Sequence, residues 1–485
     1  MILPHDSTYT VTTEPTGYYS ANIPGGIYEF TYEKDGYFPE FTEEQTLAEN
    51  TIFPDITLLE HTSTINVPAR FTTIQTAIDY ALENDTVLVD TGTYTENLDY
   101  LGRNITIASK FLTTNDTSYI YQTILDGEQN GRIVKISNGS NNAVLNGFTM
   151  QNGSVNGSYP DGYGGAIFCS ESNPNIKNLI IKNNSAEYGS AVYCENADPK
   201  LENLIIENNE SYEDGTIYCS NSNPSLYNIL STNNSAKIGA SICCWDSDPT
   251  LVNSTISHNQ NSNGSTIFGY NSDISLYNTI TSYNTGSYGI YIYSGSPTIE
   301  YCNFYNNENG NYYNCSPGTG CIEAAPLFAD TANGDYRLTQ DSPCIDAGTP
   351  DASGLNLPFF DLEGNVRIWD GDDDGIARID MGAYEFDAPI YSVDEPELPE
   401  KITIYNYPNP AQNSTTIKYS LKQNSHVEIS VYNIKGQLIK KLLDRPQNRG
   451  SHSLEFNTKE LSTGVYFYKL HTDNYAKTRK LLVIE

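Results

Sequence analysis

The sequence predicts an all-β chain built around a parallel β-solenoid, because its middle section repeats with a fixed period. Four cysteines mark that period at intervals of 25 residues: Cys169, Cys194, Cys219 and Cys244. Each unit holds short β-prone runs separated by Gly, Asn, Ser and Pro, and apolar residues do not recur at helical spacing. About 25 residues suffice for three short strands and three turns, which is one rung of a solenoid.

Stacked rungs lie about 4.8 Å apart, so residues one period apart are predicted to form columns along the rod. One aliphatic column contains Ile167, Val192, Ile217, Ile242, Ile267 and Ile292. The cysteines follow two positions later and so share the core side of the strand. The intervening column is predicted to face outward, and contains Phe168, Tyr193, Tyr218, Cys243, Phe268 and Tyr293. A further column, in which stacked amides can bond one another, contains Asn178, Asn203, Asn228, Asn253 and Asn278.

The repeat motifs GGAIFC, from Gly164, and NPNIKNLIIKNN, from Asn173, resemble the right-handed parallel β-helix of the pectin-lyase-like superfamily. The likeness is greatest to bacterial surface proteins with GGAI-type repeats. The segment FTTIQTAIDYALENDTVLVDTGTYTENL (71–98) resembles the start of such domains. A short amphipathic helix from Ile74 to Leu82 is predicted there, capping the open end of the solenoid. The resemblance covers residues 67–387 and implies a fold rather than an activity.

The chain outside the solenoid resembles two small β-sandwich modules. Residues 1–60 contain GYYSANIPGGIYEFTYEKDGYFP and NTIFPDITLLE, which resemble the last strands of a carboxypeptidase-regulatory-like module. The first strands of that module are missing, and MILPHDSTYTV has neither the basic start nor the apolar run of a signal peptide. We therefore expect the start of this chain to be truncated.

Residues 401–485 alternate apolar and polar residues between turns and follow a Pro- and acid-rich linker at 388–400. They resemble the type A C-terminal sorting domain of type IX secretion cargo. The matching motifs are YPNP (407–410), VYNIKGQ (431–437), LSTGVYFYKL (461–470) and KLLVIE (480–485). The resemblance implies the type IX machinery as a partner and export across the outer membrane of a Gram-negative bacterium. Removal of the domain, then attachment to the surface or release, would follow.

The charge and composition of the chain limit the classes of molecule that it can bind. The formal net charge is −34, which argues against a nucleic-acid partner, because phosphate binding needs a basic patch. An acidic, extracellular protein that binds divalent cations fits better. No apolar run approaches the roughly 20 residues of a membrane-spanning helix.

The nine cysteines give no zinc pattern. The four that mark the period are interpreted as small buried apolar side chains. Cys315 and Cys321 flank the loop CSPGTGC, which a disulfide could close.

Enzymes of this fold mount acids and bases on adjacent rungs, and the sequence offers few. No arginine occurs between Arg132 and Arg337, and His258 is the one histidine of the repeats. One column before the turn prolines contains Asn173, Asp198, Asn223, Asp248 and Asp273. Asn and Asp both suit an Asx turn, so turn chemistry is favoured there over cation binding or catalysis.

Two sets of residues are candidates for binding. In the outward column, Tyr193, Tyr218, Phe268 and Tyr293 could contact sugar rings or serve only as stacked structural rings. In the closing segment, a cation loop of the form D-x-D-x-D-G, followed by a further acid, contains Asp370, Asp372, Asp374 and Asp380. Met381 stands where an EF-hand needs Glu, so the choice is an improvised calcium site or a solvated acidic loop.

These observations favour a non-enzymatic surface protein that is adhesin-like or binds glycans. A polysaccharide lyase or glycoside hydrolase with an unusual site, and a purely structural spacer, are the alternatives.

Overall fold

A computed structural model describes most of the chain after residue 56 and short pieces before it. The described residues are 26–28, 31–34, 36–38, 40–41, 45–47, 57–352, 354–389, 404–421, 425–447, 450–472 and 475–484. The described residues up to Thr64 belong to a unit of their own. In it Gly26–Tyr28 pairs antiparallel with Gln45–Leu47, and Thr31–Tyr32 with Glu40–Phe41. The predicted carboxypeptidase-regulatory-like module is not confirmed, and its first 25 residues lie outside the described part.

The main body is a parallel β-solenoid of about 10 turns, of the right-handed type. One stack of strands contains Thr64–Val67, Thr86–Val89, Thr106–Ser109, Val144–Asn146, Asn175–Lys182, Lys200–Glu207, Ser225–Thr232, Thr250–Val252, Ser275–Tyr277 and Thr298–Glu300. In the middle rungs the long strands of this stack extend into a second stack of parallel strands. The other strands of this second stack are Gly92–Tyr94, Thr123–Asp126, Thr149–Gln151, Thr255–Ser257, Ile280–Ser282 and Asn303–Tyr305.

The third stack contains Leu98–Asp99, Val134–Ser137, Ile167–Ser170, Val192–Glu195, Ile217–Ser220, Ile242–Trp245, Gln260–Tyr270, Thr285–Ile292 and Tyr312–Tyr313. A fourth, shorter run joins it and contains Ser185–Tyr188, Glu210–Asp214 and Ser235–Ala236. Cys169, Cys194, Cys219 and Cys244 pair in register on successive parallel strands and are fully buried. The predicted period, parallel pairing and inward cysteine column are therefore confirmed.

The open end of the solenoid is covered by a helix, as predicted. The helix Ile74–Tyr80 begins at Thr73, whose hydroxyl accepts the N–H of Thr76, and it buries Ile74 and Ile78. Glu96 accepts the N–H groups of Ile74 and Gln75 at 2.9 and 2.8 Å, satisfying two donors that the helix cannot. Two further short helices, Phe111–Thr114 and Ser118–Gln122, lie between the strands Thr106–Ser109 and Thr123–Asp126.

Asparagine columns hold the turns. Members of the predicted column donate Nδ2–H to the Oδ1 of the preceding member, as from Asn203 to Asn178 at 2.9 Å. Sequence reasoning missed a second, fully internal column, which contains Asn184, Asn209, Asn234, Asn259, Asn284 and Asn307. From Asn209 on, each Oδ1 accepts both the backbone and the amide N–H of the asparagine one rung back, so the buried amides of this column satisfy one another along the rod.

One register prediction is wrong. Ile267 pairs with Ile290 and Phe268 with Tyr291, so neither Ile292 nor Tyr293 belongs to the column predicted for it. The strand pairing shifts by two residues between Gln260 and Gly264, before the aliphatic position. The sequence alignment put the two-residue deletion after the aliphatic position, whereas the structure has it before that position. Ile292 and Tyr293 were therefore assigned to the wrong columns.

A closing segment follows the last rung and packs on the second stack and its asparagine column. It contains the hairpin Phe328–Asp330 and Asp335–Leu338 with a 3-10 turn at Thr331–Asn333, and then mostly irregular chain to residue 387. Its anchor is Arg367, which is fully buried, pairs with Glu385 at 2.9 Å and donates to Oδ1 of Asn228. Burial raises the pKa of Glu385, and Arg367 opposes that shift.

The C-terminal part is a two-sheet β-sandwich, as predicted. One sheet contains Ile404–Tyr407, Ser414–Leu421 and Gly450–Asn457, and the other Leu438–Gln447, Ser425–Asn433, Gly464–Thr472 and Tyr475–Val483, all antiparallel. Alternate residues of both sheets face one core, which includes Ile417, Ile429, Tyr468 and Leu481. Most of the predicted linker, from residue 390 on, lies outside the described residues.

Candidate functional site

The predicted glycan-contacting column is mostly covered. Tyr193 and Phe268 are only 3% and 8% exposed, while Tyr218 is partly exposed. Phe168, Tyr193 and Tyr218 stack face to face, with 5.4 Å between successive ring centroids. The prediction that this column presents an exposed face is therefore wrong for Tyr193 and Phe268, because the rings cover one another and glycine turns pack against them, as Gly189 does on Tyr193.

Exposed aromatic rings occur instead near the last rungs. One column stacks Trp245, Tyr270 and Tyr293, with centroids 4.5 and 5.3 Å apart. A neighbouring column continues from Phe268 to Tyr291 and Tyr313, with centroids 5.6 and 4.2 Å apart. We call these residues, without the buried Phe268, the outer ring cluster. Its members Tyr293 and Tyr313 end their columns and are 60% and 43% exposed.

Polar groups border the outer ring cluster. Asn271 donates its amide to Asp246 at 2.6 Å and its backbone N–H to the hydroxyl of Ser294 at 2.8 Å. Asn314 donates to the carbonyl of Ile292 at 2.9 Å. Rigid rings edged by fixed amides and hydroxyls are the groups with which proteins contact sugars, whose faces are apolar and whose rims are hydroxyls.

The turn acids are engaged in the structure of the turns. Oδ1 of Asp248 accepts the N–H of Asp273 one rung on, at 2.6 Å, and Asn223 accepts from Asp248 in the same way at 2.7 Å. Asp198 in turn accepts from Asn223. This chain of side-chain-to-backbone bonds runs along the column and accounts for the alternation of Asn and Asp, because either side chain supplies the acceptor.

His258 is also held by structural contacts. Its Nδ1 lies 2.9 Å from the hydroxyl of Ser257, and its ring packs against Tyr283 and Tyr336. Burial lowers its pKa, which favours the neutral imidazole. Ser257 is fully buried and donates to the carbonyl of Ser282 at 2.8 Å, so its hydroxyl cannot reach a substrate.

The acidic loop of the closing segment forms a cluster different from the predicted one. Carboxylate oxygens of Asp346, Asp370 and Asp372 lie within 4.8 Å of one another. One oxygen of Asp370 is buried and has no hydrogen-bond partner. Asp346 was missed, since it lies in the SPCIDAG motif, well before the loop in the chain. Burial raises the pKa of Asp346, and its neighbour Asp372 raises it further.

The other two predicted ligands point elsewhere. Asp374 pairs with Arg378 at 3.0 Å. Asp380 is buried, accepts the N–H groups of Asp346 and Phe386, and has its pKa raised to about 7 by burial. The structure thus brings together Asp370 and Asp372 but neither of these two.

In the C-terminal sandwich, the YPNP motif holds the last strand. Oδ1 of Asn409 accepts the N–H of Leu482 at 2.8 Å, and its Nδ2 donates to the carbonyl of Lys480 at 3.1 Å. Ala411 donates to the carbonyl of Leu482 at 2.7 Å. In the VYNIKGQ motif, Asn433 accepts two backbone N–H groups and closes a tight turn. The two motifs therefore specify the sandwich itself.

Several apolar side chains at and beside the VYNIKGQ turn of this sandwich are exposed to solvent. They are Ile434, Leu438, Ile439 and Phe467. No helix among the described residues is long and apolar enough to cross a membrane.

Comparison with known proteins identifies one region. Residues 405–485 match the family model described as a secretion system C-terminal sorting domain. No curated protein matches the chain. The match agrees with the predicted motifs and with the independent core of the sandwich. The protein is therefore a secreted or cell-surface β-solenoid that carries, at residues 405–485, the sorting domain of type IX secretion cargo.

Proposed function

We propose that this protein is a non-catalytic, adhesin-like rod that binds an uncharged glycan at the bacterial surface. The observation that carries the proposal is the outer ring cluster, which ends in the exposed rings Tyr293 and Tyr313. Exposed, stacked aromatic rings bordered by fixed polar groups suit sugar rings, because both the apolar faces and the hydroxyl rim of a sugar find a match.

Charge favours a neutral ligand. The chain carries a formal charge of −34, and Asp246 borders the cluster. A uronate or sulfated glycan would be repelled over a Debye length, about 8 Å at physiological salt. A neutral polysaccharide meets no such barrier.

The hydrogen bonds of the acidic side chains in the turns fit a protein that does not cleave its ligand. Glycosidases need two free, positioned carboxylates, and lyases need a base with charge neutralisation of the uronate. The turn acids Asp198, Asp248 and Asp273 each accept a backbone N–H from the next rung. The lyase or hydrolase alternative would need their other carboxylate oxygens to act as acid and base while these bonds hold the turns.

The sorting domain supports the proposed route. In a Gram-negative host, we infer that the domain docks on the type IX machinery, is removed after translocation, and leaves the solenoid attached or released. Mass spectrometry of the surface protein should then lack peptides from residues 405–485, and finding them intact would contradict removal.

The glycan site can be tested by mutation. In a glycan-array screen of the full chain, the wild-type protein is expected to bind neutral glycans, and Tyr293→Ala and Tyr313→Ala each to weaken that binding about tenfold, the loss of about 1.4 kcal/mol of contact energy. The matched control is Tyr212→Ala, which removes another exposed tyrosine far along the rod. Equal binding by all four proteins would contradict the site, and no binding by wild type would contradict the function.

We further propose that Ca²⁺ binds at Asp346, Asp370 and Asp372 and stiffens the closing segment. Three carboxylates with an unpartnered buried oxygen suit a hard cation that prefers oxygen ligands.

Calcium is therefore expected to raise the melting temperature of the protein by a few degrees relative to EDTA. Saturation a hundredfold above Kd stabilises a folded state by about 2.7 kcal/mol. Calorimetry should show that Asp372→Asn loses the shift and that Asp373→Asn, which removes an exposed acid of the same loop, keeps it. An identical shift in both variants would rule out the site.

A further inference from the structure

Two cysteines stack on each other where the solenoid ends. Asn303 pairs in parallel with Ile322, so the residues before them, Cys302 and Cys321, are neighbours on adjacent backbone segments. The N–H of Ile322 donates to the carbonyl of Cys302 at 2.9 Å. Paired strands lie about 4.8 Å apart, within the roughly 4.4–6.8 Å that Cα atoms of a disulfide usually span.

The two thiols are also in direct contact. Their interaction shifts the pKa of Cys302 upward and that of Cys321 downward. Each thiol also donates to a backbone carbonyl, Cys302 to Glu300 at 3.2 Å and Cys321 to Ile299 at 3.3 Å. Cys315, the partner that the sequence suggested for Cys321, makes no such contact. The pairing is therefore set by the rung register and not by the loop that separates Cys315 from Cys321.

Accessibility distinguishes this pair from the other stacked cysteines. Cys194, Cys219 and Cys244 are fully buried in the core of the rod, beyond the reach of an oxidant. Cys302 is buried as well, but Cys321 is partly exposed. One reachable thiol and one adjacent buried thiol are what a two-step oxidation requires.

We propose that Cys302 and Cys321 form a disulfide during export, locking the last rung of the solenoid to the closing segment. The sorting domain takes the chain through compartments outside the cytoplasm, where disulfides form and persist. The proposal concerns the solenoid end and does not depend on glycan binding.

The chemistry needs an oxidant of the protein-disulfide class. The thiolate of Cys321 attacks the oxidant's disulfide, forms a mixed disulfide and displaces one oxidant sulfur as a thiolate. The thiolate of Cys302 then attacks Sγ of Cys321 and displaces the second sulfur. Two electrons pass to the oxidant, and the two protons of the cysteines pass to its thiolates or to water. Cys321 is the first nucleophile because its thiol is partly exposed whereas Cys302 is buried, and the contact with Cys302 also lowers the pKa of Cys321.

The bond would close a loop that contains Tyr312–Tyr313, the last strand of the third stack. It would therefore brace the end of the rod, where the stack stops and its edge is otherwise exposed.

Peptide mapping of the exported protein tests the pairing. Free thiols are alkylated without reductant, and a protease that cuts after Glu separates Cys302, on 301–308, from Cys315 and Cys321, on 309–323. The expected result is the two peptides joined, lighter by two hydrogens than their sum, with Cys315 alkylated. Alkylated Cys302, a link through Cys315, or a bond within 309–323 would each overturn the proposal.

Two variants sharpen the result. Cys315→Ser is expected to keep the joined peptides, and Cys321→Ser to release 301–308 with an alkylatable Cys302. Loss of the link in Cys315→Ser, or its persistence in Cys321→Ser, would overturn the assignment. Serine replaces each thiol with a small polar group. The number of alkylated cysteines in each secreted variant also reports folding, because Cys194, Cys219 and Cys244 are fully buried in the folded rod.

Discussion

Removing residues 401–485 is expected to abolish delivery of the protein to the cell surface in a type IX-competent host. The domain has its own core, which includes Ile429 and Leu470, so its loss should leave the solenoid folded but without its export signal. Protease accessibility on whole cells, with immunoblots of cell fractions, would measure the loss. The truncated chain should accumulate inside the outer membrane.

The matched control attaches residues 401–485 to an unrelated soluble reporter. The reporter should then reach the surface or the medium, because the sorting information is carried by this domain. Undiminished surface display of the truncated solenoid would show that another part of the chain directs its export.

Replacing Asn234 with leucine is expected to destabilise the solenoid by about 2–6 kcal/mol, because at least two buried backbone groups lose their partner together. Asn234 Oδ1 accepts the backbone N–H of Asn209 at 2.9 Å, and its Nδ2 donates to the carbonyl of Ile206 at 2.9 Å. Both groups are buried, and each buried polar group left without a partner costs about 1–3 kcal/mol. Urea denaturation followed by circular dichroism would measure the change.

Asn263→Leu is the control for that substitution, since Asn263 is exposed on the strand Gln260–Tyr270. It should alter the urea midpoint little. If Asn234→Leu and Asn263→Leu unfold at the same urea concentration as wild type, the inner asparagine column does not support the rungs.

The period in the sequence was sufficient to predict the rod, and the reason is geometric. A spacing of one rung places Cys169 and Cys194 on paired strands whatever else the rung contains. The inner asparagine column follows the same period but was missed, because asparagine in a turn-rich sequence suggests exposed turns. Its burial depends on side-chain amides that satisfy one another across rungs, which a single rung does not reveal.

Site residues were predicted less well, because they depend on local shifts and distant contacts. A two-residue shift between Gln260 and Gly264 moved Tyr293 onto Tyr270. Arg367 meets Asn228 across 139 residues of sequence, and nothing in either segment indicates the other. The sorting domain was predicted well, since motifs such as YPNP specify its own internal contacts.

Binding and cleavage measured on the same neutral polysaccharide test most directly whether this protein is a binding rod. The full-length protein is incubated with an array-selected glycan, and both the retained protein and the products are assayed. A non-catalytic glycan-binding rod should show saturable retention that falls in Tyr293→Ala, with no new reducing ends and no unsaturated products. New chain ends that disappear in Asp248→Asn would contradict it and establish an enzyme.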